Sequence, residues 1–401
     1  MENAIESIEY YDYRPSITER LNDWAADFPI EAYNEDVVTQ PSKSLLVLQG
    51  QIKAKVSEGG ADITDFGEKI RLVFNGIMHM FDRIEYQLGN TKIDDVLRPG
   101  ITTTMKGIPS FSRVDNLNDA GWSLNYAQSS VMDNKGNFYI TIPLSVLLGV
   151  MEDYKGYIYR MPQKLIFTKQ TSSNINNVLI CDSDTYKVEI DLKDIVWRMP
   201  LIKFNILYDA KIKAEILKGY EYEIGFRHWL YNYKSGVAGS KEFLWDFPTA
   251  YSRAKYILIA FQTARDGRPK KDNSKFDFCN LRSLQVQLNN STYYPRERLV
   301  WDKDTLKYGS LYTMFKDFKM SYYSRSTDDS HPLIDMKTFI SDFSMVCIDC
   351  SRKLDVLKDS LINIKIRFEW GVNVPENTII HCVIISDSKA KYTPLHNMVI
   401  A

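Results

Sequence analysis

The sequence predicts a mostly-β chain with a few short helices, built as two tandem sandwiches. Three observations predict it: strands of strict apolar–polar alternation in both halves, an internal repeat at an offset of 200 residues, and turn residues closing each copy of that repeat. At 401 residues the chain is long enough for two cores, and 44% hydrophobic with 25% charged residues places it among globular proteins.

The elements follow in order. Residues 1–40 hold ten acids against two bases, a charge of −8, which leaves +7 on the remainder of a chain whose total is −1. They also hold Tyr10, Tyr11, Tyr13, Trp24, Phe28 and Tyr33. Acidic and aromatic without a strand period, the segment reads as an arm that orders against a surface, with these six rings as candidate assembly contacts. Ser16 and Glu19 form a capping-box pattern, so a frayed terminus with one short helix over 16–26 stays open as the alternative.

Residues 41–210 form the first sandwich. Lys187 to Lys193 alternate apolar and polar, and 44–56, 68–74, 137–142 and 164–169 are further strands. A helix is expected over 143–153, and 101–135 reads as a long loop. The junction falls near 205–218.

Residues 211–401 form the second sandwich, with strands at 221–230, 242–247, 255–262 and 339–349. Ile362 to Trp370 alternate without a miss, so Ile364, Ile366 and Phe368 face a core and Lys365 and Arg367 face water. Residues 378–386 are almost continuously apolar, as in a strand buried on both faces. Leu311, Phe315, Phe318 and Tyr322 make one stripe of a helix over 305–323. The loop 264–274 reads as solvated, and the apolar end 398–401 as a last strand tucked into a sheet.

The repeat aligns Ile84, Tyr86, Gln87, Leu88 and Asn90 with Leu284, Val286, Gln287, Leu288 and Asn290. Each tract alternates and then reaches a Gly-Asn or Asn-Asn turn. About eight strands per half, with long excursions and one helix, suit a jelly roll, so the expected architecture is a double jelly roll.

Catalytic patterns are missing. The five histidines form no HxH, HExxH or i, i+4 pair, so no metal site is expected. Cys347 and Cys350 form a CxxC, but side chains three apart on a strand point to opposite faces, and buried free thiols are expected. There is no GxSxG, GxGxxG or GxxxxGK[ST], so neither an enzyme nor a cofactor is expected. Arg265, Arg268, Lys270 and Lys271 read as a solvated loop rather than a nucleic-acid site. No basic and apolar leader opens the chain and no stretch of 18 apolar residues occurs, so no signal peptide or membrane-spanning helix is expected. The rival reading among β-sandwiches is a tandem lectin-like binding module.

Three stretches carry a resemblance: Ala254 to Thr263, Phe276 to Leu281, and Val286 to Pro295. Asn280-Leu281, Leu288-Asn289 and Tyr294-Pro295 precede the expected helix, and 362–385 adds a strand, an Asn-Val-Pro-Glu-Asn turn and a final apolar strand. Over 250–401 the chain is similar to the second jelly roll of double jelly-roll capsid proteins. These form the adenovirus-hexon-type lineage, and within it stand the small capsid proteins of polinton-like and adintovirus-like elements. The resemblance implies a major capsid protein of a DNA virus or virus-like element, assembling as pseudo-hexagonal homotrimers that tile an icosahedral shell. The partners it implies are the chain itself, neighbouring capsomers, and minor or penton capsid proteins. The location it implies is the virion, after synthesis inside the host cell. It also implies a terminal arm at the inner side of the shell. Such arms are often basic where they meet a genome, and this one is acidic, which points instead to a neighbouring capsomer or a minor protein.

Overall fold

The computed structural model describes residues 4–16, 25–30, 38–112, 115, 117–124, 131–169, 172–289, 295, 298–324, 332–352 and 361–401. It divides into two compact units. Unit 1 comprises 1–100, 117–228 and 388–401, and unit 2 comprises 101–116 and 229–387. Relative to a single cut at residue 210, each unit takes a segment from the other half of the chain.

Unit 1 contains eight principal strands: β1 (Ile5–Tyr13), β2 (Ala25–Ile30), β3 (Leu45–Lys55), β4 (Phe81–Leu88), β5 (Thr91–Leu97), β6 (Asn137–Pro143), β7 (Gln163–Lys169) and β8 (Lys187–Phe204). One sheet has the order β6-β3-β8-β1 and the other β2-β7-β4-β5. Alternation selects the inward faces: Leu46, Leu48 and Ile52 on β3 and Phe138, Ile140 and Ile142 on β6 are all buried. Gly136 opens β6 at φ +80°, where a Cβ would lie 2.3 Å from the Ile52 carbonyl oxygen, so the turn requires glycine.

The later strands are β9 (Tyr222–Lys234), β10 (Glu242–Asp246), β11 (Ala254–Thr263), β12 (Leu281–Leu288), β13 (Met345–Asp349), β14 (Ile364–Trp370) and β15 (Thr378–Thr393). Their sheets have the orders β13-β11-β15-β9 and β10-β14-β12. Strand for strand these repeat β6-β3-β8-β1 and β2-β7-β4. The position matching β5 falls on residues outside the described set.

The 200-residue repeat survives in three dimensions as a repeated register. Ile84, Tyr86 and Leu88 stand opposite Phe167, Leu165 and Gln163. Leu284, Val286 and Leu288 stand opposite Phe368, Ile366 and Ile364. β14 keeps its strict alternation, with Ile364, Ile366, Phe368 and Trp370 buried and Arg367 exposed.

Five sequence expectations are corrected. First, the stretch 1–40 read as an arm supplies two strands. β1 pairs with β8 from Ile5 opposite Phe204 to Tyr13 opposite Trp197, and β2 pairs with β7. Glu6 and Asp12 of β1 are paired with Lys203 and Arg198 of β8, which is how an acidic segment joins a sheet. The alternative helix over 16–26 falls mostly outside the described residues, and 25–26 are strand. Second, 101–135 contains α1 (Pro99–Ser110), whose residues 101–110 are all buried. Third, the helix expected over 143–153 is a 3-10 turn at Leu144–Val146 followed by the short α2 (Gly149–Asp153). Fourth, 339–349 is not one strand: α5 (Met336–Asp342), capped by Asp335 accepting from the Thr338 backbone N–H, precedes β13. Fifth, the end of the chain does form the expected last strand, β16 (Met398–Ile400), paired with β15 in its sheet, but it lies with Met398 and Ile400 exposed instead of buried.

Two further helices complete the chain. α3 (Ile206–Leu217) occupies the expected junction, and α4 (Gly309–Tyr323) buries Leu311, Phe315, Phe318 and Tyr322 as its stripe requires.

Candidate assembly surface

The six rings read as assembly contacts divide sharply. Tyr10 and Tyr11 stand 55% and 58% exposed on β1. Tyr13 is half-buried, with its ring 5.2 Å from Tyr11 and 6.4 Å from the interior Trp197. Phe28 is wholly buried, edge-on to Phe167 at 5.9 Å, and belongs to the core of unit 1 rather than to its surface. Trp24 and Tyr33 lie outside the described residues.

β1 holds its place through cross-strand charge. Arg198 donates to both carboxylate oxygens of Asp12 at 2.7 and 2.9 Å, and that hydrogen-bonded guanidinium holds the Asp12 carboxyl below its usual range. Lys203 lies 3.3 Å from Glu6. Beside these pairs a groove of about 550 Å³ runs between Glu6 and Glu9, the end of β8, and Ile206 and Asp209 of α3. Sequence reasoning missed this groove. The signal available was Ile206-Leu207, two large apolar residues opening a helix between two sandwiches.

Elsewhere in unit 1, Asp94 is fully buried. It accepts from the Val150 backbone N–H at 2.9 Å and lies 3.6 Å from His228 Nε2. Burial raises its carboxyl to about 6 against the pull of His228. Arg227 donates through its backbone N–H and Nε to Asp153, both at 2.8 Å, so the start of β9 is fastened to α2.

Unit 2 carries a polar pocket of about 610 Å³ lined by Ser235, Gln262, Arg265, Arg268, Glu376 and Asn377, among others. The loop beneath it, read as solvated, is ordered by its own side chains. Arg265 grips Asp277 through two nitrogens, Gln262 donates to the Asn273 carbonyl at 2.7 Å, and Asp272, Asn273 and Ser274 are buried. Arg268, Lys270 and Lys271 are exposed, while Arg265 is committed to its carboxylate. Also in unit 2, the buried Lys106 of α1 sets its ammonium 4.8 to 5.5 Å from the rings of Phe111, Trp229, Tyr322 and Tyr323.

Among the described residues no cluster of His, Cys, Asp or Glu could hold a metal ion. Cys181, Cys347, Cys350 and Cys382 are buried free thiols and Cys279 is partly buried. Burial raises Cys279 to about 11 and Cys181 to about 12, so neither is activated as a nucleophile. No described helix is long and apolar enough to cross a membrane.

Two stacked-sheet units with one strand order define a jelly-roll protein of the duplicated kind. The chain matches the double jelly roll-like domain family over residues 70–389 and belongs to that family. A chain of the Sputnik virophage, determined by cryo-electron microscopy, superposes with a TM-score of 0.60 at 8% identity, covering 99% of this chain and 88% of that one. The mavirus major capsid protein gives 0.58 at 9%, covering 98% and 89%. The Faustovirus major capsid protein gives 0.59 at 8%, covering 96% and 90%. At such identities the likeness is one of fold. A search of curated proteins by sequence finds no match.

Proposed function

We propose that the chain is the major capsid protein of a DNA virus or virus-like element, a structural subunit rather than an enzyme. The carrying observation is the duplicated strand order and register, on a fold shared with two proteins that are major capsid proteins. Two sandwiches per chain make a homotrimer pseudo-hexagonal, and such trimers tile an icosahedral shell. In this reading the two jelly rolls are centred on 41–210 and 211–401, the first extended by β1 and β2, and the virion is where the protein works. Tyr10, Tyr11 and Tyr13, with Trp24 and Tyr33, form contacts to neighbouring capsomers or to minor or penton proteins. Exposed tyrosines suit this work because they offer large amphipathic area at low entropy cost.

The test is negative-stain microscopy and mass photometry of the purified full chain. Threefold or hexagonal particles of trimer mass or larger support the reading. A monomer at micromolar concentration that forms no particles under any salt condition sinks it, and would favour a lectin-like binding module.

A further inference from the structure

The helix between the two halves is apolar on two opposite faces. α3 buries Ile212 and Ile216 against unit 1. Yet Ile206 and Leu207 are both 85% exposed, Leu217 is 72% exposed, and Ala210 and Ala214 are open to solvent. Ile206, Ala210, Ala214 and Leu217 fall at i, i+4, i+8 and i+11, one stripe of a helix, with Leu207 along its flank. The 394–396 turn packs on α3, and Leu395, Met398 and Ile400 beyond it are exposed as well. Exposed large apolar side chains occur singly on any protein, but seven of the 21 among the described residues lie in 206–220 and 395–400.

We infer that the exposed stripe of α3 is a helix–helix docking face whose occupant is α3 of a second copy of this chain, packed antiparallel across a local twofold axis. Three features point to a second copy. The stripe reads large, small, small, large. Antiparallel pairing therefore sets Ile206 against the partner copy's Leu217 and Ala210 against its Ala214, with the alanines permitting close approach at the crossing. The same pairing brings Asp209 level with Lys213 of the other copy. These two already attract within one helix at 2.8 Å, so the charges complement across the axis as well. The third feature is size. Taking about 170 Å² for a large side chain, the seven exposed residues offer roughly 700 to 800 Å², close to what each partner buries in a standard interface. On the far flank Lys211 meets its own copy, and salt screens that repulsion together with the Asp209–Lys213 attraction, so the apolar stripe carries the contact. Placing the contact between neighbouring capsomers rests on the capsid reading; the helix pairing itself does not.

The test uses full-length protein with one cysteine added on the stripe; Cys181, Cys347, Cys350 and Cys382 are buried, and the partly buried Cys279 is replaced by serine in every variant. Ala210→Cys and Ala214→Cys are prepared separately, mixed, and oxidised. A covalent dimer from the mixture, at least about tenfold above either variant alone, is expected, since only the 210–214 pair comes within disulfide reach. Ala214→Glu should leave the melting temperature of the subunit unchanged and abolish that dimer. Homodimers from each variant alone would show a parallel or unrelated contact and overturn the proposal. So would particles of normal yield from Ala214→Glu with no 210–214 bridge, an outcome that leaves the capsid reading standing. Flotation of wild-type protein with phosphatidylcholine vesicles, lost in Ala214→Glu, would assign the stripe to lipid and overturn it too.

Discussion

Phe28→Ala separates a strand that builds unit 1 from an arm that leans on it. Phe28 is wholly buried, edge-on to Phe167 at 5.9 Å, and Phe167 meets Phe81 at 5.0 Å. Removing the ring forfeits about 1.5–3 kcal/mol of transfer free energy. β7 holds the edge strand β2 on one side and limits collapse, so a void on the order of 80 Å³ adds about 2 kcal/mol at ~24 cal/mol per Å³. The expected loss is about 3–5 kcal/mol, a large share of the 5–15 kcal/mol that is typical of a whole domain. Tyr10→Ala, on the exposed face of the neighbouring β1, should stay within about 0.5 kcal/mol. The assay is a urea titration of the full-length protein followed by tryptophan fluorescence, with both variants at one fixed protein concentration because association shifts apparent stability. A loss below about 1 kcal/mol for Phe28→Ala, or equal losses for the two, would refute the placement of β2 in the core.

Ile366→Ala removes a side chain that faces Val286 and Trp245 across two strand pairs, and should cost about 2–5 kcal/mol; a denaturant midpoint within error of wild type would contradict it. Gly136→Ala brings a Cβ to 2.3 Å from the Ile52 carbonyl oxygen at φ +80° and should lower the melting temperature of unit 1, whereas the open Gly121 should tolerate alanine better despite its φ of +78°. Asp94 binds its proton more tightly when folded, so its favourable contribution is full below the ordinary value of 3.8 and is lost as pH rises through about 6. Wild type should therefore gain on Asp94→Asn by on the order of 2–3 kcal/mol between neutral and acidic pH, and parallel melting-temperature profiles would count against it. Lys106→Ala empties a site enclosed by four rings and should cost about 2–5 kcal/mol by calorimetry, while a silent variant would mean the ammonium packs elsewhere.

Alternation made most of the sheets legible. Ile364 to Trp370 could be assigned residue by residue because a period of two has one solution once a face is buried. The Ile84 and Leu284 tracts were legible for the same reason, and their common offset located the duplication. α1 was not legible. Its sequence, PGITTTMKGIPS, is rich in glycine, proline and β-branched residues that disfavour helix, and burial on every side overrides that preference. β1 was hidden by its charges. Glu6, Glu9 and Asp12 on an edge strand look like a solvated tail until Lys203 and Arg198 of β8 are seen beside two of them, and that pairing spans nearly the whole first half of the chain. The candidate contacts were legible only as composition. Nothing local distinguishes the exposed Tyr10 from the interior Phe28, because the difference lies in which sheet each strand joins. The apolar outer stripe of α3 escaped because its spacing resembles the ordinary inner stripe of a surface helix.

Tyr392 closes unit 1. Its hydroxyl donates to the Tyr157 carbonyl and accepts from the Tyr159 backbone N–H, and its ring stacks on Tyr222 at 5.2 Å. A ribosome delivers Tyr157, Tyr159 and Tyr222 early and Tyr392 late, after all of 229–387 has been made. At about 5–20 residues per second, the nascent first unit waits roughly 10–30 s for its closing piece. Through that interval three tyrosine faces stay wet and sticky on every growing chain, and a polysome holds many such chains close together. The order of synthesis therefore leaves neighbouring nascent chains open to premature clustering through these faces until Tyr392 arrives to cover them.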